Sequence, residues 1–468
     1  MDFLLGIAVV AASVWGTLLI LRGSLVGGCL AFLFCVCCCG HDLINFHIGP
    51  VPLTIDRLAL LAVVAAYAVK RRFGLADPKP CAPLDWLLAS FIGVLALSMF
   101  AHGWQAARPT EVTPLWRLLG GYLIPLVVYW IARQSPVSDS QVRTLQKAFV
   151  AFGVYLALTG LCEVAGLWQF VYPTYIRDPA VGLHFGRARG PMVHSVTYGM
   201  YLATALLALW ELLRSAPTRW SKLAYASLAP LFAVGLYVSY TRSVWIGMAL
   251  ALLIVAVMTF PVAWRRLAIA GAVAGALFVG AFKLDAIVGL QREGSVADTR
   301  QSVDMRGSFA YVSWLMFQDR PWFGFGFGQF PTAKLDYLSD RSSDLPLEQI
   351  RGYVHHNTYL SLLTETGLVG LGLFLAILIA WCRRASQLWS DVSQSETLRS
   401  LGPLTLGVLA VYACQLMFHE LSYTPLDHAL VFLFAGLTAG LTTPAAIANR
   451  VHSTVSAWPF LSRRAASH

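Results

Sequence analysis

The chain has 468 residues, 57% of them hydrophobic and only 12% charged, with a mean hydropathy of +0.64. Soluble domains carry about 25% charged residues, so this chain has too little polar surface to cover itself in water, and its apolar surface must face lipid. A soluble enzyme, a disordered chain and a secreted disulfide scaffold are excluded, and the formal net charge of +10 fits cytoplasmic loops held by Lys and Arg better than nucleic acid.

A membrane-crossing helix needs about 20 mostly apolar residues. Such runs lie near 3–21, 25–39, 55–69, 84–101, 115–132, 148–169, 195–213, 222–240, 243–261, 266–283, 357–381, 402–420 and 428–445. The first two are short and joined only by Arg22-Gly23-Ser24, so a half-inserted hairpin there would reduce thirteen spans to twelve. The expected fold is an all-α polytopic membrane protein with 12–13 transmembrane helices. It divides into an N-terminal transmembrane bundle of about ten helices over 1–283, a long outer loop over 284–356, C-terminal transmembrane helices over 357–445 and a tail over 446–468. Met1-Asp2 lacks the basic start of a signal peptide. Five of the nine cysteines, Cys29, Cys35, Cys37, Cys38 and Cys39, fall inside one apolar run and read as small apolar packing, with no second ligand pair at zinc-site spacing.

Orientation follows from the basic residues of alternate loops. One set of loops holds nineteen Lys and Arg; the opposite short connections hold only Arg57, Arg108, Arg117 and Arg242. The first set, and the C-terminus, are therefore expected in the cytoplasm. The other basic residues collect in two longer outer segments, 170–194 and 284–356 with its flanking Lys283.

In the first outer segment, His184-Phe185-Gly186-Arg187-Ala188-Arg189-Gly190-Pro191 places two arginines among small residues before a span. Next, Tyr240-Thr241-Arg242-Ser243 puts a lone arginine in a minimal outer turn. A charge there has little topological use, while guanidinium suits bidentate phosphate binding; the alternative is an arginine snorkelling to headgroups. The long loop is too long for a bare connector. Its Phe309, Val312, Leu315 and Met316 fall at helical spacing, which predicts an amphipathic helix lying on the outer leaflet or capping a cavity, ended by Asp319-Arg320-Pro321. The following Gly324-Phe325-Gly326-Phe327-Gly328 reads as an aromatic turn at the interface rather than a phosphate-binding loop, because no strand precedes it.

The loop ends in Arg351-Gly352-Tyr353-Val354-His355-His356-Asn357. A helix capped by Asn357 or Thr358 would hold His355 and His356 at the outer membrane surface, where an imidazole can accept a hydroxyl proton near neutral pH. Glu365, about two turns into that span, must be partnered, protonated or facing a wet cavity. Gly367 and Gly370 permit close helix approach. Arginines and a histidine on one face suit a lipid-linked phosphate with a hydroxyl acceptor arriving from water, and no acidic metal-binding cluster stands in these segments.

His356-Asn357, nine residues, then Gly367-Leu368-Val369-Gly370 resembles the pattern His-[Asn/Ser/Gln]-x9-Gly-x-x-Gly of the O-antigen ligase and O-antigen polymerase superfamily. Arg306, Trp314 and the segment from Asp319 to Phe330 resemble the part of that family before its histidine, and Thr241-Arg242-Ser243 and Arg189-Gly190-Pro191 sit where upstream family arginines are expected. The resemblance implies a membrane-embedded, inverting glycosyltransferase of the GT-C type in the bacterial inner membrane. Its donor would be a glycan on undecaprenyl pyrophosphate, and it would need no metal or other cofactor. It implies His356 as the catalytic base at the periplasmic face, and Arg242, Arg187, Arg189 and Arg306 as donor pyrophosphate-binding residues. His355, Asn357 and Glu365 would support them. The acceptor stays open: lipid A–core for a ligase of lipopolysaccharide biosynthesis, a growing polysaccharide for a polymerase, or protein Ser or Thr. A lipid-linked-sugar transporter should show paired charges or broken helices near the midplane. Glu163 and Glu365 stand without evident intramembrane cations, which argues against one.

Overall fold

In lipid a chain must satisfy its backbone polar groups within the segment, and the long apolar runs accordingly become helices. The computed structural model describes residues 23–39, 46–48, 51–53, 55–105, 112–278 and 296–443. The expected span at 3–21, the start of the long loop and the tail at 446–468 lie outside them. In chain order the helices are α1 (Leu25–Cys39), α2 (Ile55–Arg72), α3 (Pro83–His102), α4 (Pro114–Arg133), α5 (Asp139–Val164), α6 (Ser195–Arg214), α7 (Arg219–Tyr237), α8 (Arg242–Thr259), α9 (Val262–Phe278), α10 (Val296–Asp319), α11 (Thr358–Ser390), α12 (Leu401–Leu416) and α13 (Pro425–Leu441). All but α10 answer to an apolar run. Seven of the described helices are long and apolar enough to cross a membrane, and α1 and α13 are shorter apolar helices. The chain is thus an all-helical polytopic membrane protein, save for a small antiparallel hairpin, β1 (Phe46–Ile48) with β2 (Val51–Leu53).

Helix ends depart from the apolar runs where capping decides. Ser138 and Gln141 form a capping box that starts α5 well before its apolar stretch. The helix α12 stops at Leu416, short of the expected end at 420, and releases Met417–Thr424 as a turn carrying His419 and Glu420. Small residues let the helices close on one another. Gly436 and Gly440 of α13 lie over the backbone of Tyr129 and Arg133 in α4, and Gly247 of α8 lies over Val411 of α12. The helix α6 is buried on nearly every side.

One end of the bundle is tied by charge. Arg133 pairs with Asp85 at 2.9 Å and donates to the Pro80 carbonyl, and Arg214 reaches Glu396 at 2.5 Å. The opposite end gathers the turns 165–194, 238–241, 320–357 and 417–424, linked by bonds such as Ala188 N–H to the Val238 carbonyl and Asn357 Nδ2 to the Met417 carbonyl.

In the long loop the sequence reading is sharpened. It contains one 24-residue helix, α10, followed by single-turn helices at Phe330–Ala333, Lys334–Tyr337 and Leu347–Ile350. The helix ends at Asp319, as expected before Pro321. Its apolar stripe, Phe309, Val312 and Met316, turns onto Phe330, Leu338, Leu347 and Ile350 of the same loop and forms an apolar core there. Trp314, Trp322 and Phe323 stay exposed, the disposition of aromatics that sit at a membrane interface.

Candidate active site

Asn357 caps α11: its side chain accepts the Leu360 N–H at 3.0 Å while its Nδ2 donates to the Met417 carbonyl. Thr358 Oγ1 donates to the carbonyl of His419 and accepts the Leu421 N–H. The start of α11 is thereby stapled to the turn between α12 and α13. Asn357 is a positioning residue here.

Ten positions after Asn357, Gly367 takes φ 63° and ψ −161° and breaks α11. Only a residue without Cβ adopts this conformation readily, and a side chain would meet the backbone of Trp322. The break exposes backbone groups that the 321–326 segment satisfies. Phe325 and Gly326 donate to the Thr364 and Glu365 carbonyls at 2.9 Å, and Leu368 and Val369 donate to the Pro321 and Trp322 carbonyls. The Gly-Phe repeat is therefore not a turn at the interface but a plug in a broken helix, and Gly367 serves that insertion rather than helix–helix packing.

The two histidines differ. His355 is buried, its ring between Phe309 and Phe330. Its Nδ1 accepts the Asn357 N–H at 3.2 Å, so Nε2 carries the hydrogen that faces Ser313 Oγ at 2.8 Å. Both nitrogens are occupied, and burial, then the neighbouring His356 and Arg117, holds its pKa well below the usual imidazole range. His356 is half-buried against Phe309 and Tyr353. Burial, then the Arg306 guanidinium, lowers its pKa too, so it stands neutral at pH 7. Lys334, itself buried, braces the approach by donating to the carbonyls of Ile350 and Tyr353.

A cavity of about 180 Å³ is lined by Arg187, Arg242 and Arg306, with His184, Phe418 and His419 among its other walls; His356 is not one of its walls but lies close enough to Arg306 and His419 to interact with them electrostatically. Five stretches build it: the loop before α6, the start of α6, the turn at 240–241 with the first residues of α8, the helix α10 and the turn after α12. Arg306 lies over the Phe418 ring at 5.6 Å, and Ser243 Oγ is 3.2 Å from His419 Nε2.

Arg189 does not join this cavity. Its guanidinium donates to the carbonyls of Val181, Ile176 and Asp178 at 2.6, 2.7 and 2.9 Å, and Glu163 lies 4.0 Å from its Nε. It folds the loop that presents Arg187. Glu365 likewise points elsewhere, into a buried network centred on Arg117. That guanidinium contacts both Glu365 oxygens at 2.7 and 2.8 Å, Ser361 at 2.9 Å, Ser422 at 2.6 Å and Glu420 at 3.3 Å, between the rings of Phe327 and Tyr423. Glu365 thus has a buried cation in Arg117, and Glu163 has Arg189 of the loop before α6 at 4.0 Å. The argument against transport from missing charge pairs falls.

Sequence reasoning missed Arg117, Glu420 and His419. Arg117 was placed in a connection and the other two inside a span. A lone arginine in an otherwise apolar run was the available signal, since such a charge requires a partner. Among the described residues no group of three His, Cys, Asp or Glu side chains is placed to hold a metal ion.

A helical bundle with an arginine-lined cavity at one end, and a histidine just before a broken helix, defines the class: a polytopic membrane protein. Residues 225–375 match the O-antigen ligase family model. The match supports the O-antigen ligase superfamily and a membrane glycosyltransferase-like function. It takes in Arg242, Arg306, His355, His356, Asn357, Glu365 and the Gly367–Gly370 motif, and leaves Arg187 and Arg189 outside. No curated protein matches the chain.

Proposed function

We propose that the protein transfers a glycan from undecaprenyl pyrophosphate to an acceptor hydroxyl at the periplasmic face of the bacterial inner membrane, as an O-antigen ligase does, without a metal ion. The observation that carries this reading is three arginines from three segments converging on one cavity, with the His356 imidazole near Arg306. His356 takes the proton of the acceptor hydroxyl, whose oxygen attacks the anomeric carbon from the face opposite the diphosphate and inverts it. The bond from that carbon to the phosphate oxygen breaks, and its electron pair stays on the departing diphosphate. Arg187, Arg242 and Arg306 hold that charge, which is larger in the transition state than in the bound donor and is therefore stabilised preferentially. Arg189 acts through Arg187, by holding the loop.

The test uses membranes supplied with a labelled undecaprenyl-pyrophosphate glycan. His356→Ala should lower transfer by about 10²–10⁴-fold with donor binding kept. Arg242→Ala should weaken donor binding about tenfold or more, the loss of a charge-assisted contact. The wild-type rate should be flat across neutral pH and fall only below the ordinary imidazole range, because the base is lost when His356 protonates and its pKa is depressed. Transfer should survive EDTA. Full activity in His356→Ala would sink the catalytic assignment. Product analysis distinguishes the acceptors: a lipid A conjugate marks a ligase, a ladder of lengthening lipid-linked chains a polymerase.

A further inference from the structure

The motif histidine stands beside the arginine cavity, while a different histidine forms part of its wall. His419 lines the cavity together with Arg187, Arg242 and Arg306. Its backbone is held from two sides: the N–H donates to the Gln415 carbonyl and the carbonyl accepts from Thr358 Oγ1 at 2.8 Å. Its Nε2 is 3.2 Å from Ser243 Oγ, the residue following Arg242. The ring is therefore fixed relative both to the start of α11 and to the turn that carries Arg242.

We propose that His419 is a fourth member of the diphosphate cradle and that its imidazole takes up a proton when the anion binds. The inference rests on the function proposed above. The groups that act on this ring favour its neutral form. His184 and His194 come from the loop before α6, Arg306 from α10 and His356 from just before α11, while Arg187 of that loop and Arg242 at the start of α8 line the same cavity. Burial and these neighbours hold its pKa well below the usual range. Glu420, next in the chain, is engaged by Arg117 and Ser422. A diphosphate between the arginines reverses the local field, and an opposite charge within about 4–6 Å favours the protonated ring. The proton comes from water when the donor binds. After the glycosyl–oxygen bond breaks, the imidazolium can give it to a phosphate oxygen, and the ring returns to neutral as the product leaves.

The experiment titrates inorganic pyrophosphate into the full-length protein in lipid nanodiscs at pH 7.5, by calorimetry in two buffers of different ionisation enthalpy. His419→Gln should reduce the proton uptake seen with wild type and weaken pyrophosphate binding about tenfold, whereas unchanged uptake and affinity would overturn the proposal. Footprinting with diethyl pyrocarbonate, which acylates neutral imidazoles, tests the same idea in the unaltered protein. The His419 peptide should be modified without pyrophosphate and protected with it; modification insensitive to pyrophosphate counts against the proposal. If wild type neither binds pyrophosphate nor transfers glycan, this inference and the function beneath it fail together. Normal wild-type binding and transfer, with His419→Gln indistinguishable from it, removes only the role of His419.

Discussion

Arg187 and Arg189 stand two residues apart in one loop and meet opposite environments. Arg189 is buried and meets three backbone carbonyls, with Phe185 over its guanidinium at 4.7 Å, while Arg187 lines the cavity. Arg117 repeats the first pattern inside the bundle, where two carboxylates and two serine hydroxyls surround it. Arginines enclosed by acceptors hold the scaffold, whereas those lining a cavity with other cations are suited to an incoming anion. Two positions only two residues apart in one loop thus take different places, one among backbone carbonyls and one in a cavity wall.

The largest effect should come from Arg117→Ala, which leaves Glu365 buried without its cation. About 3–5 kcal/mol of stability should be lost, read as lowered thermal unfolding in nanodiscs, and removing Glu365 as well should restore part of it. An unshifted melting curve would contradict the structural role. Arg189→Ala should follow at about 2–3 kcal/mol, with carbonyls losing a charged donor, whereas Arg187→Ala should stay within about 0.5 kcal/mol of wild type and weaken pyrophosphate binding instead. If the two exchange phenotypes, the comparison is broken. Gly367→Ala should destabilise by about 1–3 kcal/mol, because a side chain is forced into a left-handed backbone against Trp322. Limited proteolysis would register it as increased cleavage near 321–326, the segment released from the break.

Much of the fold was legible. The apolar runs within the described residues, the helix across Phe309–Met316 and the stop before Pro321 correspond to observed elements, because hydropathy and helical periodicity depend on residues close in sequence. The motif His356-Asn357 followed by Gly367 was legible as well, and its spacing chose His356 over His355, whose two nitrogens proved to be occupied. Three features were not legible. The turn with His419 and Glu420 was hidden within an apolar run whose end is set by local packing. The Arg117–Glu365 contact joins residues 248 apart. The separation of Arg187 from Arg189 depends on carbonyls at 176, 178 and 181, which every residue type carries and no sequence pattern displays.

Side-chain chemistry summed along the chain settled that this protein is a polytopic membrane protein and where most of its described helices run, and it marked arginines and histidines as candidates for a site. Which of those residues share a cavity was decided only in three dimensions. A guanidinium is satisfied by whatever oxygen lies nearest, and nearness across hundreds of residues is created by helix packing and by a backbone break at one glycine.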